Sequence, residues 1–113
     1  MKRDLDNIQV IIDYCERIIE TINRLDEEDF LESYVLQSSC AFSILQIGEA
    51  VKRLSMGFAE QHPEVSWNKI AKFRDVLAHR YSGIDLPTVW TISSKLVPEL
   101  LTQCLAIMKK ENP

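Results

Sequence analysis

Leu5, Ile8, Ile11, Ile12, Cys15, Ile18, Ile19, Ile22 and Leu25 recur at the intervals that place side chains on one helical face, so residues 3 to 25 are predicted to form an amphipathic helix. Its isoleucines, β-branched and stiff, make it a weaker helix than its period suggests. A short polar connection at 26 to 29 follows, and its acids also suit the first turn of a second helix in an antiparallel hairpin.

That second helix is predicted from about 28 to 61, a stretch free of proline and roughly 50 Å long at 1.5 Å per residue, more than a small domain's diameter. Leu36, Cys40, Ile44, Ile47, Val51, Leu54 and Phe58 form one stripe, while Leu31, Tyr34, Val35, Phe42 and Leu45 cover the opposite side of its first half. Two apolar faces require two partners: the bundle for one, and for the other a surface such as a second copy of the chain. Pro63 ends the pattern. Ser66 is placed to cap a third helix from Trp67, with Ile70, Phe73, Val76 and Leu77 as its buried stripe. Gly83 gives conformational freedom where that helix ends, and Asp85 is placed to cap a fourth from about 86 to 111. Val89, Ile92, Leu96, Leu100, Cys104 and Ile107 face inward there, and Pro98 is expected to kink the segment or start a new helical piece. The expectation is a single all-α domain over residues 1–113, an antiparallel bundle of four main helices.

Composition narrows the class. Apolar residues at 46%, with only three Gly and four Pro, fit an ordered globular chain. Cys15, Cys40 and Cys104 are odd in number and lack CxxC spacing, which points to neither a disulfide framework nor a zinc site and suggests a reducing cytoplasm. No signal-peptide pattern or membrane-spanning run is read, so a cytoplasmic protein without membrane attachment is expected. A formal charge of −4 argues against a protein that coats nucleic acid non-specifically. Charge is nevertheless uneven: "DEEDFLE" at 26 to 32 is acidic, whereas Lys69, Lys72, Arg74 and Arg80 face Asp75 alone between 69 and 80.

The basic stretch contains "RDVLAHRY", residues 74 to 81. Its side chains suit phosphodiester chemistry. An imidazole with a pKa near ~6.5 exchanges protons at neutral pH. A guanidinium offers forked donors to phosphate oxygens and stabilises charge developing on them. With RNA, the ribose 2′-OH attacks the adjacent phosphate and no metal is required. Arg74 and His79 lie about 140° apart around an ideal helix, so they do not stack on one face. Either the helix ends near His79, or two copies of the chain bring their third helices together. Asp75 is placed to orient Arg74 or His79, and Lys69, Lys72 and Arg80 to hold the strand.

"IGEAVKRLS" at 47 to 55, "HPEVSWNKIAKFRDVLAHRY" at 62 to 81 and "GIDLPTVW" at 83 to 90 resemble the HepT family of HEPN-domain toxins across most of the chain. The family's motif is Arg, four residues, His, one residue and Tyr, matched here by Arg74, His79 and Tyr81, with Asp75 at the polar position after the arginine. The resemblance implies a homodimer whose two motifs meet at the interface and a metal-independent ribonuclease, toxic when unrestrained, with Arg74 and His79 catalytic. It also implies a cognate nucleotidyltransferase antitoxin of MntA type that uses ATP to adenylylate Tyr81. The chain itself then needs no cofactor, and the added AMP brings negative charge and bulk to the RNA-binding mouth.

Plainer readings stand beside these. Arg74 and Asp75 also fit a solvated helix face, Tyr81 a ring that closes a helix end, and Lys69, Lys72 and Arg80 general surface charge. His62 reads as a loop residue, Trp67 and Trp90 as packing anchors, and Gly48 with Glu49 as a close helix contact beside a polar group at the dimer seam. Two other functions fit the same residues: a non-catalytic helical module that docks a nucleotidyltransferase and is modified by it, and a bundle whose basic patch binds a free nucleotide.

Overall fold

The computed structural model describes residues 2–79 and 85–112, except for the side chains of Lys2 and His79, and all regular structure among them is helical. The first helix, α1 (Lys2–Ile22), buries Ile8, Ile11, Ile12, Cys15, Ile18 and Ile22 on the predicted stripe. Each isoleucine removed from water in this way contributes about 1.5–3 kcal/mol. The helix stops three residues early. Arg24 takes the left-handed conformation (φ 67°) that usually falls to glycine after a helix end, and the absence of a glycine here hides the stop from the sequence.

The long second helix is instead three pieces: α2 (Glu27–Leu31), α3 (Tyr34–Arg53) and α4 (Met56–Gln61). Hydroxyl caps divide them. Ser33 Oγ accepts from the Leu36 amide, and Ser55 Oγ accepts from the Phe58 amide after Leu54 has turned extended (ψ 141°). The second break is locked from outside. Asp4 of α1 accepts the Ser55 amide and hydroxyl, both at 2.8 Å, while Asn7 accepts from Arg53 Nε at 3.0 Å. These contacts pair the start of α1 with the end of α3, so the two helices run antiparallel, and Tyr14 meets Phe42 edge-on halfway along.

His62 closes α4 and is buried rather than lying in an open loop. Its ring packs on Phe58 between Glu64 (3.7 Å) and Glu111 (3.4 Å), and its carbonyl accepts from Trp67 Nε1. There α5 (Trp67–His79) begins, and the Ser66 carbonyl accepts the Ile70 amide. Asp85 caps α6 (Leu86–Thr91) as expected, and Trp90 packs on Phe30 with ring centroids 5.5 Å apart. A π-helical turn (Ile92–Leu96) leads into α7 (Val97–Glu111). Pro98 thus falls in the first turn of a new helix, where its missing N–H leaves no hydrogen bond unmade.

The bundle centres on α1, which packs against α3 and α7, while α5 lies on the far side of α3. The three cysteines are buried and unpaired in this core. Burial pushes the Cys104 thiol up to about 12 and raises Cys15 and Cys40 as well, so all three behave as small hydrophobes. No helix among the described residues is long and apolar enough to cross a membrane.

Asp4→Ala removes two charge-assisted hydrogen bonds from the α3–α4 junction and is expected to destabilise the fold by about 1–3 kcal/mol. Urea unfolding checks this; a loss below ~0.5 kcal/mol would mean that Ser55 caps α4 unaided.

Candidate functional site

Arg74 lies where α5 crosses α3, and a glycine makes the crossing possible. A Cβ added to Gly48 would stand 2.1 Å from Arg74 Cβ and 2.6 Å from its Cγ, so the arginine stem occupies the space an alanine would fill. Only glycine lets the two helices approach this closely. The close contact expected at "IGEA" is present, and its partner is the motif arginine.

Tertiary structure then gathers charges that are distant in sequence. Arg74 Nε is ion-paired with Glu49 Oε1; both atoms are buried and neither makes a hydrogen bond, so the contact between them is one of charge alone. Arg74 Nη1 donates to Asp75 Oδ1 at 3.1 Å, and Lys52 Nζ reaches the same oxygen at 2.9 Å. The bond from Lys52, then that from Arg74, holds the Asp75 carboxyl below the usual carboxylate range. A lowered folded-state pKa has a definite sign: the pairs stabilise at neutral pH, and that stabilisation is lost as the pH falls through the acid range. Asp75 is nearly half exposed, so water screens much of the effect.

Asp75 thus accepts from both Arg74 and Lys52. Lys69 and Lys72 are exposed on α5, with the Lys69 ammonium 5.9 Å from the Phe73 ring centre. His79 is the last described residue of α5; its side chain lies outside the described residues, as do Arg80, Tyr81 and Gly83. Val76, expected in the buried stripe, is 49% exposed. It lies about 100° around the helix from Leu77, which is buried, so the two cannot both face α3.

Glu49 as the arginine's partner and Lys52 as the partner of Asp75 are not predicted by the sequence. No local spacing signals a pair 23 residues apart; the one pointer was a glycine inside an otherwise regular helix. Tyr34, Val35 and Phe42 of α3 are exposed, as is Leu31 at the end of α2, whereas Leu45 is partly covered. Val35, Phe42 and Glu49 are seven residues apart in turn, so the apolar line leads directly to the ion pair. A separate cleft of about 180 Å³ opens on the other flank of α5, floored by Ile44, Ile70 and Phe73 and rimmed by Lys69 and Glu99; neither Arg74 nor Asp75 lines it.

A protein-family model described as "Ribonuclease HepT-like" matches residues 11–107. Among named proteins, the chain is 38% identical to "Putative RNase TTE0752" of Caldanaerobacter subterraneus subsp. tengcongensis, over 99% of this chain and 100% of that one. It is 33% identical to "Probable ribonuclease HepT" of Thermococcus cleftensis, over 78% of this chain and 86% of the relative. No solved structure gave a significant match.

Glycine at 48 and glycine at 57 should respond oppositely to alanine. Alanine favours a helix by ~1 kcal/mol, and nothing lies within 4 Å of a Cβ at Gly57, so Gly57→Ala should stabilise. Gly48→Ala should instead cost about 1–3 kcal/mol through overpacking against Arg74. Paired urea titrations check both signs; a stabilised Gly48→Ala would show that α5 moves away freely.

Proposed function

The chain belongs to the HepT-like ribonuclease family, and from that membership we propose that it is a ribonuclease toxin that cleaves RNA without a metal, as a homodimer, under the control of a nucleotidyltransferase antitoxin. The observation that carries the reading is Arg74 on α5, the helix that also carries His79, held by Asp75 of the same helix and by Glu49 of α3. Among the described residues the Nη2 donors of Arg74 have no partner and suit a phosphate.

The chemistry follows from the side chains. The 2′-oxygen of a ribose attacks the adjacent phosphorus, the bond to the next nucleotide's 5′-oxygen breaks, and a cyclic phosphate and a 5′-hydroxyl result. His79 moves the proton between these oxygens, and Arg74 stabilises the charge gathering on the phosphoryl oxygens. Lys69, Lys72 and Arg80 attract the strand. The exposed stripe of Val35 and Phe42 is the proposed dimer surface, because pairing there covers apolar area and brings two copies of the arginine into one cleft. Restraint comes from the partner enzyme: the Tyr81 phenolic oxygen attacks the α-phosphorus of ATP, pyrophosphate leaves, and AMP stays on the ring, repelling RNA phosphate by charge.

Purified protein is expected to cleave single-stranded RNA in the presence of EDTA. Arg74→Ala and His79→Ala should each lower the rate about 100-fold or more. Phe42→Glu should give a monomer by light scattering and lose cleavage with it. Chelator-sensitive cleavage, or a fully active monomer, would sink the corresponding part of the reading.

With ATP and the nucleotidyltransferase encoded beside it, wild-type protein should gain adenylate mass and stop cleaving RNA, whereas Tyr81→Phe should do neither. Mass gained by a wild-type protein that never cleaved RNA would leave the non-catalytic docking module as the better account.

A further inference from the structure

Arg74 is held more tightly than a phosphate-binding arginine needs for folding alone. We propose, on the ribonuclease reading above, that Glu49 is the positioning residue that aims Arg74 at the scissile phosphate, and that it does so at a cost in RNA affinity. A guanidinium has five N–H donors in a planar fork. Glu49 Oε1 stands against Nε as an ion-pair partner without a hydrogen bond, and Asp75 accepts one on Nη1. The ion pair at Nε and the hydrogen bond at Nη1 restrict the guanidinium, and among the described residues Nη2 has no partner and stays open to an incoming anion. The Arg74 stem cannot swing toward α3, because it already occupies the space beside Gly48.

Glu49 is suited to this task by its place on a different helix from Arg74. Asp75 moves with α5, whereas Glu49 ties the arginine to α3, the helix that carries the exposed stripe. The aim of Arg74 is therefore set relative to the proposed dimer surface as well as to its own helix. The electrostatic consequence is equally specific. Glu49 and Asp75 carry two negative charges, and Arg74 and Lys52 carry two positive ones, so the cluster is neutral before RNA arrives. Removing the Glu49 charge should strengthen RNA binding, and removing the oxygen beside Nε should release the arginine from its aim.

The experiment measures kcat on RNA and the affinity for an all-2′-deoxy oligonucleotide of the same sequence, which lacks the attacking hydroxyl, for wild type, Glu49→Ala and Glu49→Gln. Glu49→Ala should lower kcat about 10–100-fold, the scale of a misplacement near 1 Å, while the deoxy strand binds more tightly than to wild type. Glu49→Gln retains an oxygen beside Nε without the charge; it should recover most of kcat and keep the tighter binding. A merely structural role would lower the folded fraction and leave affinity per folded molecule unchanged. Undiminished kcat in Glu49→Ala, weaker deoxy-strand binding in either variant, or no recovery by glutamine overturns the proposal. If the alanine variant does not fold, the glutamine variant decides by its binding alone, tighter for the proposal and unchanged or weaker against it. Wild-type protein that leaves RNA intact overturns the ribonuclease reading and this inference together, so the two failures are told apart by the wild-type reaction.

Discussion

The distance between α3 and α5 at Gly48 governs the rest of the site. Two helices normally keep side chains between their axes, and here one side is missing, so the Arg74 stem lies directly on the α3 backbone. That approach brings Glu49 and Lys52 within reach of Arg74 and Asp75. A wider crossing would leave two acids and two bases dispersed over a solvated surface, where pairs contribute little. Packing of a backbone, rather than attraction between charges, is what assembles the cluster.

Much of the fold was legible because long amphipathic periods state which face is buried. The stripe of α1, the cap at Asp85 and the restart of the chain at Pro98 all follow from local rules that tertiary structure does not overturn. The breaks at Ser33 and Ser55 were not legible. A serine in a helix interior and a serine that caps the next helix look alike in sequence, and at Ser55 the decision is made by Asp4, far away in the chain. His62 was misplaced for a similar reason: its burial depends on Glu111 from the last helix.

The motif shows the same division. Arg74, Asp75 and His79 could be named from residue type and spacing, but the setting of Arg74 could not. Between residues 69 and 80 the chain reads as a basic patch opposed by one acid. Folding supplies a second acid from α3, so the ground around the arginine is neutral rather than positive. An enzyme acting on a polyanion gains from such restraint, since interactions that hold the ground state as tightly as the transition state do not raise turnover.

The buried thiols give the chain a property of a different kind. Cys15, Cys40 and Cys104 sit on three separate elements, α1, α3 and α7, with burial suppressing the thiolate that reacts with alkylating reagents. A reagent in solution therefore meets them only when the helix that carries each one lifts from the bundle. Cys15 and Cys104 lie close enough to interact, so the parting of α1 from α7 uncovers both together, while Cys40 times the lifting of α3; alkylation order thus separates these two events.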